Sequence, residues 1–366
     1  MKPNYIFMSG FNFPVFKTKV AGAEQKFSLE NPAERRKYFD LKVGPEIEKL
    51  REYLQKNSFV GFLLGPKNSG KGTYTKMFME AVGAERVAHI SVGDIVRAAH
   101  KELEDESRKV DLIAHLKQKY RGFVSVEQAV DIILGRDTKT LLPTEIILTL
   151  VERQISGLGR KAIFIDGFPR NLDQISYSLY FRELMGYRDD PDFLVFIDVP
   201  ETIISERMNT RVICPICQTP RSPKLLRTKE IGYDAEKKEF YLICDNPGCS
   251  GFGKARMVSK EGDQFGIESI RDRIEVDKKV METLLQLQGI PKIYLRNAVP
   301  VNMAKENIDD YEITPAYRYE LEQGGKIKVV EESWVVKNDL GEDCYSLLPA
   351  AVGVALVKQI AQTLGL

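Results

Sequence analysis

The sequence predicts a doubly wound α/β fold, and three observations support that prediction. Compact apolar runs recur along the chain, at Phe59–Leu64, Arg86–Ser91, Ala162–Asp166 and Phe193–Asp198. They lack a strict apolar–polar alternation, which is typical of strands buried on both faces of a parallel sheet. Segments with helical periodicity separate them, and the first run leads into a glycine-rich turn. This order predicts an open parallel sheet with helices on both faces.

The helices of this pattern can be placed from apolar periodicity. A short amphipathic helix with Ile47, Leu50 and Leu54 on one face should precede the first strand, after an irregular stretch over residues 1–43. Later helices are expected at Pro143–Ser156, Asn171–Met185, Glu201–Arg211, Gly266–Leu287 and Ala350–Leu364.

Composition limits the classes of function. A chain of 366 residues is too long for one small domain, so two or three structural units are expected. Lys and Arg total 53 against 52 for Asp and Glu, so bulk charge indicates neither nucleic acid nor an anionic membrane as a partner. No apolar stretch approaches the roughly 20 residues that span a bilayer, and the N-terminus lacks a signal-peptide pattern. A cytoplasmic protein is expected.

The turn after the first apolar run has the features of a phosphate-binding loop. It reads Gly65-Pro66-Lys67-Asn68-Ser69-Gly70-Lys71-Gly72-Thr73 and precedes a helical segment. Glycines let backbone N–H groups approach phosphate oxygens, the helix N-terminus adds partial positive charge, and Lys71 can reach the outer phosphates. The general motif is met at Gly65, Gly70 and Lys71, but Gly72 replaces its hydroxyl residue. A glycine turn that binds nothing is the alternative, which the flanking strand and helix disfavour.

Charged side chains follow the ends of the second and third predicted strands. Ser91-Val92-Gly93-Asp94 ends the second, with Arg97 one helical turn later, and Asp166-Gly167-Phe168-Pro169-Arg170 ends the third. A carboxylate at the tip of a buried strand beside a phosphate loop is placed to order Mg²⁺ and its waters. Arg170 offers the planar fork of donors that suits phosphate. A helix cap for Asp166 and a surface ion pair for Arg170 are the alternatives, which their adjacency disfavours.

Four arginines flank the polar segment 212–262. Arg207 and Arg211 lie four residues apart on one helix face before it, and Arg271 and Arg273 follow it. Two residues on a helix are separated by about 200°, so only one of the second pair can face a site, and Arg271 is expected on a solvated face. Arginines at both ends of a flexible segment indicate one that closes over phosphates.

Four of the five cysteines lie in this segment. Cys214 and Cys217 form one knuckle and Cys244 and Cys249 a second, whereas Cys344 stands apart. Two such knuckles can supply tetrahedral thiolate coordination to Zn²⁺. The alternatives are four buried or oxidised cysteines without a metal and, less favoured, an iron–sulfur site.

Together these motifs resemble those of adenylate kinases of the long-lid, zinc-containing type. They occur in the order of that family over roughly residues 58–290, and Gly-Lys-Gly-Thr is the family's own form of the loop. The resemblance implies a P-loop kinase with a five-stranded parallel core, a helical monophosphate-binding insertion and a mobile zinc-containing lid. The implied parts are an N-terminal extension (1–57), core segments (58–94, 143–211 and 263–366), the monophosphate-binding insertion (95–142), the lid (212–262) and an unassigned insertion at about 291–348.

The resemblance also implies the reaction of MgATP with AMP to give two ADP, and we expect a monomer. The residues implied to bind ATP are Gly65, Asn68, Ser69, Gly70, Lys71, Gly72, Thr73, Arg207 and Arg211. Those implied to bind AMP are Ser91, Val92, Arg97, Gly167, Arg170, Gln174 and Arg273. Lys71, Arg97, Arg170, Arg211, Arg273 and Asp166 would act in catalysis, with Asp94 and Asp166 ordering Mg²⁺ through water. The four knuckle cysteines would hold Zn²⁺.

Some residues depart from the family pattern and leave alternatives open. Val92 stands where the family usually has Thr, and Lys260 is only a weak counterpart of a lid arginine. A kinase for UMP or CMP is one alternative, against which Gln174 argues. Another is a P-loop ATPase whose zinc segment binds RNA or a protein, which the acceptor-side arginines disfavour.

Two segments carry no family motif. Residues 1–43 are expected to be dispensable for chemistry, whereas the 291–348 segment is not. Within the latter, Lys326 to Tyr345 is expected to form a hairpin or a final strand, with Asn338–Gly341 as its turn. It would replace the short adenine-contacting loop of the family.

Overall fold

The computed structural model describes residues 13–135, 142–175, 191–260 and 262–366. At its centre lies a five-stranded parallel sheet. Four strands, β1 (Val60–Leu64), β2 (Val87–Ser91), β3 (Ala162–Asp166) and β4 (Asp192–Asp198), lie within one residue of the apolar runs in the sequence. The fifth is Lys292–Arg296, which pairs in parallel with β4 and completes the order Lys292–Arg296, β4, β1, β3, β2. The predicted fold class is confirmed.

Helices cover both faces of the sheet. One face packs against α1 (Pro32–Lys56), α2 (Lys71–Val82) and the C-terminal helix Pro349–Thr363, through a core that includes Phe59, Phe164 and Phe193. The other packs against Thr144–Ser156 and Arg271–Gln286. Strands with apolar residues on both faces are stable here because helices cover both faces of the sheet.

Most predicted helices are observed with shifted ends. Pro143–Ser156 is Thr144–Ser156, Glu201–Arg211 is Glu201–Asn209, and Ala350–Leu364 is Pro349–Thr363. Gly266–Leu287 is divided into a 3₁₀ turn at Ile267–Ile270 and an α-helix at Arg271–Gln286. The predicted helix at Asn171–Met185 lies mostly outside the described residues, which end at Ile175 on this side of the gap.

The polar stretch after the second strand is helical, as the sequence indicates. It contains α3 (Val92–Glu104), α4 (Glu106–Lys119) and α5 (Val126–Ile133), so the first helix already begins at Val92. Leu103, Leu112 and Leu116 form part of a small apolar core of their own.

The expectation that residues 1–43 are irregular is wrong from Pro32 onwards. Asn31 caps α1 by accepting a hydrogen bond from the Ala33 N–H, and the helix bends at Val43 because Pro45 has no N–H to donate. Tyr38 and Phe39 are buried against the C-terminal part of the chain. Residues before the helix, including Phe27, are also buried, so this region belongs to the core.

The cysteine segment (residues 212–262) forms two small antiparallel sheets. One joins Val212–Ile213 to Pro220–Arg221 and to Val258–Ser259, and the other is the hairpin of Ile231–Asp234 and Glu239–Leu242. None of the described helices is long and apolar enough to cross a membrane.

The unassigned part of the chain forms a second antiparallel unit, here called the insert (residues 298–348). It comprises strands Ala298–Pro300, Pro315–Leu321, Ile327–Ser333, Val335–Lys337 and Asp343–Ser346 and the helix Val301–Asn307. Val335–Lys337 and Asp343–Ser346 form the predicted hairpin, and Asn338 Oδ1 accepts from the N–H groups of Leu340 and Glu342 within its turn. A second hairpin, Pro315–Leu321 with Ile327–Ser333, precedes it.

Candidate active site

The phosphate-binding loop joins β1 to α2 with the geometry that its glycines predict. Gly70 has φ +103°, which is unfavourable for residues with a Cβ, and a Cβ there would lie 2.8 Å from the Tyr74 ring. The Lys71 ammonium donates to the carbonyl oxygens of Gly65 and Pro66, at 2.7 and 3.0 Å. The same ammonium lies 3.7 Å from Asp166 Oδ1. The loop therefore holds its lysine at the tip of the sheet.

A cavity of about 290 Å³ opens beside the loop, at the carboxyl ends of the parallel strands. It brings together most of the cationic residues that the sequence singles out. Its charged lining residues are Lys67, Lys71, Arg97, Asp166, Arg170, Arg273 and Asp277. Ser91 and Gly167 also line it, whereas Asp94, Val92 and Gln174 do not. We call this space the phosphate cleft, because several cations and one strand-end carboxylate converge there.

Asp94 and Arg97 are paired with each other. They form a hydrogen-bonded ion pair one helical turn apart, and Ser91 caps α3 by accepting from the Asp94 N–H. Burial works against the Asp94 carboxylate, but hydrogen bonds from Arg97 and Ser91 outweigh it, so the pKa of Asp94 is lowered. Arg97 therefore lines the phosphate cleft, and its ion pair with Asp94 holds its side chain in place.

His89 is a residue that the sequence reasoning missed. Its Nε2 lies 4.0 Å from Asp166 Oδ2 and has no hydrogen-bond partner among the described residues. Burial lowers the pKa of His89. The available signal was its place on β2, two residues before Ser91, which puts both side chains on one face of the sheet.

Gln174 supports the backbone beside Arg170. Its Oε1 accepts from the Arg170 N–H at 2.8 Å, and its Nε2 donates to Thr144 Oγ1 at 3.2 Å. The side chain is buried, with the residue 3 % exposed. In this structure Gln174 therefore fixes the turn that presents Arg170.

The two arginines after the cysteine segment point in different directions, as their helical spacing predicts. Arg273 lines the phosphate cleft and donates to Asp277 Oδ1 at 2.9 Å. Burial raises the pKa of Asp277. Arg271 pairs instead with Glu268 and Glu201 on the outer face of its helix.

A second cavity, of about 250 Å³, also borders the loop, through Asn68, Gly70 and Thr73, and we call it the side cavity. Its charged lining residues are Arg207, Arg211 and Arg221, and both Arg207 and Arg211 donate to Asn68 of the loop. Its other lining residues come from the loop and Tyr74, from the cysteine segment, from the insert and from Pro349. Trp334 and Leu225 belong to those walls and carry no sequence motif, so only the fold reveals them.

The four clustered cysteines meet at one point. Their sulfur atoms all lie within 4.8 Å of one another, with Cys214 to Cys249 at 3.9 Å and Cys217 to Cys244 at 3.8 Å. All are free thiols, and Cys344 is buried elsewhere, in the main core. The two knuckles predicted from spacing are thus adjacent in space.

The chain is similar in sequence to known proteins. A family model described as an AAA domain matches residues 64–212. An adenylate kinase of Thermotoga neapolitana is 27% identical over 226 residues, which cover 57% of this chain and 91% of that protein. An adenylate kinase of Clostridium acetobutylicum is 29% identical over 236 residues, or 64% of this chain and 86% of that protein. Over more than half of its length, the chain is similar in sequence to adenylate kinases. Another relative, the adenylate kinase of Thermotoga petrophila, is 29% identical over 58% of this chain and 77% of its own length.

The chain has the fold of a P-loop kinase, and one loop borders both of the cavities described above. Asn68 lines both cavities, Lys71 lines the phosphate cleft, and each cavity has arginines in its lining. At least a third of the chain lies outside each match with the adenylate kinases. This arrangement suits a nucleoside monophosphate kinase, which must hold two charged nucleotides at once.

Proposed function

We propose that this kinase catalyses the reversible transfer of a phosphoryl group from MgATP to AMP, giving two ADP. The supporting observation is that a single loop, Gly65–Thr73, contributes lining residues to both the phosphate cleft and the side cavity. A nucleotide bound on each side would bring its phosphates towards Lys71. The similarity to adenylate kinases supports adenine as the base of both nucleotides.

The residues of the cleft would act through position and charge. Phosphoryl transfer needs substrates aligned in line, neutralisation of the moving charge and exclusion of water, and it needs no nucleophile from the protein. Lys71 and the loop N–H groups would hold the donor phosphates, and Arg97 and Arg170 the acceptor phosphate. Arg207 would contact the donor base.

Arg211 and Arg273 would neutralise the transferring group, although each is bound to a carboxylate in this structure. Arg211 pairs with Asp263 and Arg273 with Asp277. A phosphate oxygen offers the same acceptor geometry as a carboxylate oxygen, so either arginine can exchange one for the other. The carboxylates would then keep the guanidinium groups in place between turnovers.

The cleft also fits a magnesium site. Asp166 offers a carboxylate at a strand end beside Lys71, and carboxylate oxygens with waters are the ligands that Mg²⁺ prefers. Bound there with ATP, Mg²⁺ would neutralise charge on the transferring phosphate. Asp94 is the second proposed residue and would contribute if Arg97 turned to the acceptor phosphate.

The assignment of AMP as the acceptor depends on the relatives more than on Gln174. The Gln174 amide already bonds to the Arg170 N–H and to Thr144, so reading a base would require it to release both groups. Val92, the other proposed base neighbour, is buried at the start of α3. The acceptor is therefore the sharpest point to test.

The cysteine cluster fits one structural Zn²⁺. Four thiolates at about 2.3 Å from zinc stand about 3.8 Å apart in a tetrahedron, close to the distances between the paired sulfur atoms here. Four protein ligands leave no position for substrate, so zinc would stabilise the cysteine segment without entering the reaction. We propose a cytoplasmic monomer acting on free nucleotides, as the sequence predicts.

Turnover of AMP, UMP, CMP and GMP with MgATP tests the proposal. We expect kcat/KM for AMP to exceed the others by at least about tenfold, which corresponds to roughly 1.4 kcal/mol. Lys71→Ala is the control for background transfer. Equal or better turnover of UMP or CMP would overturn the choice of AMP while retaining a monophosphate kinase. Hydrolysis of ATP without transfer to any acceptor would favour the ATPase alternative.

A further inference from the structure

Trp334 is the only tryptophan of the chain, and it lies in the insert beside the side cavity. It lies between two strands of the insert, Ile327–Ser333 and Val335–Lys337. It is 7 % exposed, yet it lines the side cavity. The insert lies outside the motifs that resemble those of adenylate kinases. Those motifs therefore do not account for this wall of the cavity.

The lining of the side cavity has two chemically different components. Arg211 donates to Asn68 Oδ1 of the loop, and Gly70 of the loop lines the cavity beside them. Leu225, Leu347 and Trp334 supply apolar walls. A nucleotide has the same polarity, with charged phosphates at one end and a flat aromatic base at the other. The phosphates would face the loop, and the base would meet the apolar walls.

One buried amide connects several lining residues of the side cavity, and its hydrogen-bonding groups are already satisfied. Asn297 is fully buried, and its Nδ2 donates to the Tyr74 hydroxyl at 3.0 Å and to the Leu347 carbonyl at 3.1 Å. Its Oδ1 accepts from Ser346 Oγ at 2.9 Å and from Arg207 Nη2 at 3.3 Å. With these bonds made, the Asn297 amide is not available to a base, whereas the apolar side chains of the lining can pack against one.

The insert and the cysteine segment are bonded to each other beside the cavity. The Tyr317 N–H donates to the Lys224 carbonyl at 2.7 Å, and the Tyr319 hydroxyl donates to the Pro223 carbonyl at 2.5 Å. Pro223 and Lys224 are the two residues before Leu225 in the chain. These hydrogen bonds therefore fix the insert, which contains Trp334, relative to the cysteine segment, which contains Leu225.

We propose that Trp334 contacts the nucleobase of the phosphoryl donor and sets the affinity for it. The inference rests on the proposed function, because it takes the side cavity to be the donor site. An indole face stacks on any base, so the residue acts on binding and position and not on the transferring group. The insert thereby completes the donor site.

Intrinsic fluorescence tests this contact directly, since all tryptophan emission comes from Trp334. Titration with ATP in the presence of EDTA, which prevents turnover, should change the intensity or maximum of the emission in a saturable manner. Tripolyphosphate, which carries the phosphates without a base, should leave the emission nearly unchanged. An emission that does not respond to ATP, or that responds equally to tripolyphosphate, would overturn the proposal.

Kinetics of two variants provide a second readout. Trp334→Leu keeps apolar volume without an aromatic face and should raise KM for ATP about 5- to 100-fold, while KM for AMP stays within about twofold. Trp334→Phe should recover most of that loss. An ATP KM within twofold of wild type in the leucine variant would contradict the contact.

These outcomes separate the two proposals. If no nucleoside monophosphate accepts a phosphoryl group but ATP still shifts the emission, the donor contact stands and the proposed reaction fails. If the leucine variant does not fold, as judged by its melting profile, the phenylalanine variant and the fluorescence titration still decide the question.

Discussion

Arg211 and Asp263 form a two-point ion pair across the two ends of the cysteine segment. The Nε–Oδ2 and Nη2–Oδ1 distances are both 2.6 Å, and Asp263 is largely buried. Because one residue precedes the segment and the other follows it, the pair closes the base of the segment. Arg211 also donates to Asn68 of the phosphate loop, so this junction contacts the site where donor phosphates would bind.

The two partners of this pair should not be equivalent in catalysis. Arg211→Ala is expected to lower kcat/KM for ATP by about 10²-fold or more, because it removes a preorganised cation from the transferring phosphate. Asp263→Asn removes only the resting partner and should cost less than about tenfold. Steady-state kinetics of both variants, with melting profiles, measure the difference. Equal losses would mean that Arg211 acts only by closing the segment.

Lys71 and Arg170 should affect the reaction far more than the stability. Lys71→Ala and Arg170→Ala are each expected to lower kcat/KM by about 10²-fold or more, with little change in the free energy of unfolding. Arg271→Ala is the matched control, since that side chain is 44 % exposed and pairs with Glu268 on the outer face of its helix. An exposed pair contributes about 0–1 kcal/mol and should not affect the rate. Near-normal turnover by the Arg170 variant would contradict its assigned role.

The sequence predicted the parts of this protein that depend on local chemistry. The phosphate loop follows from a few residues, among them Gly70, whose positive φ few other residues could adopt. Strand ends followed from apolar runs, and the cysteine knuckles from their spacing. In each case the information lies within about ten neighbouring residues.

Long-range packing could not be predicted from the sequence. Tyr38 and Phe39 sit among charged residues, so the stretch reads as polar, yet they are buried against the distant C-terminal helix. The walls of the side cavity depend on which segments meet, and nothing near Trp334 in the sequence indicates that it lines a cavity together with Tyr74. Likewise, the bonds that occupy Gln174 involve Thr144, which is 30 residues away.

Removal of the metal should affect the cysteine segment before the core. Metal analysis of the purified protein is expected to give one zinc per chain, and Cys244→Ser should lower the first melting transition while leaving the second in place. The segment has only a small core, formed mainly by the cysteines with Leu242 and Met257, so the crosslink contributes much of its stability. Cys344→Ala, outside the cluster, should keep the zinc. A metal-free protein with an unchanged melting profile would rule out the site.

The N-terminal region should be needed for stability, contrary to its lack of sequence motifs. Lys42 on α1 is completely buried and pairs with Asp309 at 2.6 Å and with Glu312 at 3.6 Å. Lys42→Ala leaves the buried Glu312 and the partly buried Asp309 without their cation and should lower the free energy of unfolding by about 3–5 kcal/mol. Lys337→Ala, which breaks the exposed pair with Asp343, is the control and should cost less than about 1 kcal/mol. Similar losses in urea unfolding of the two variants would count against a structural role for this region.

Asp198, at the end of β4, should make the stability depend on pH. Burial raises the pKa of Asp198 to about 6, although Arg296 partly opposes the shift. The folded state therefore binds the proton more tightly than the unfolded state, so the stability contributed by this group falls as pH rises from about 4 to about 6 and is constant above. Asp198→Asn cannot ionise, so its free energy of unfolding relative to wild type should rise by about 2–3 kcal/mol across that interval. Urea unfolding of both proteins at pH 4, 5, 6 and 7 measures this difference, from which acid effects common to both, such as protonation of the cysteine cluster, cancel. A difference that stays constant with pH would show that the Asp198 carboxyl titrates in the folded protein as it does in the unfolded chain.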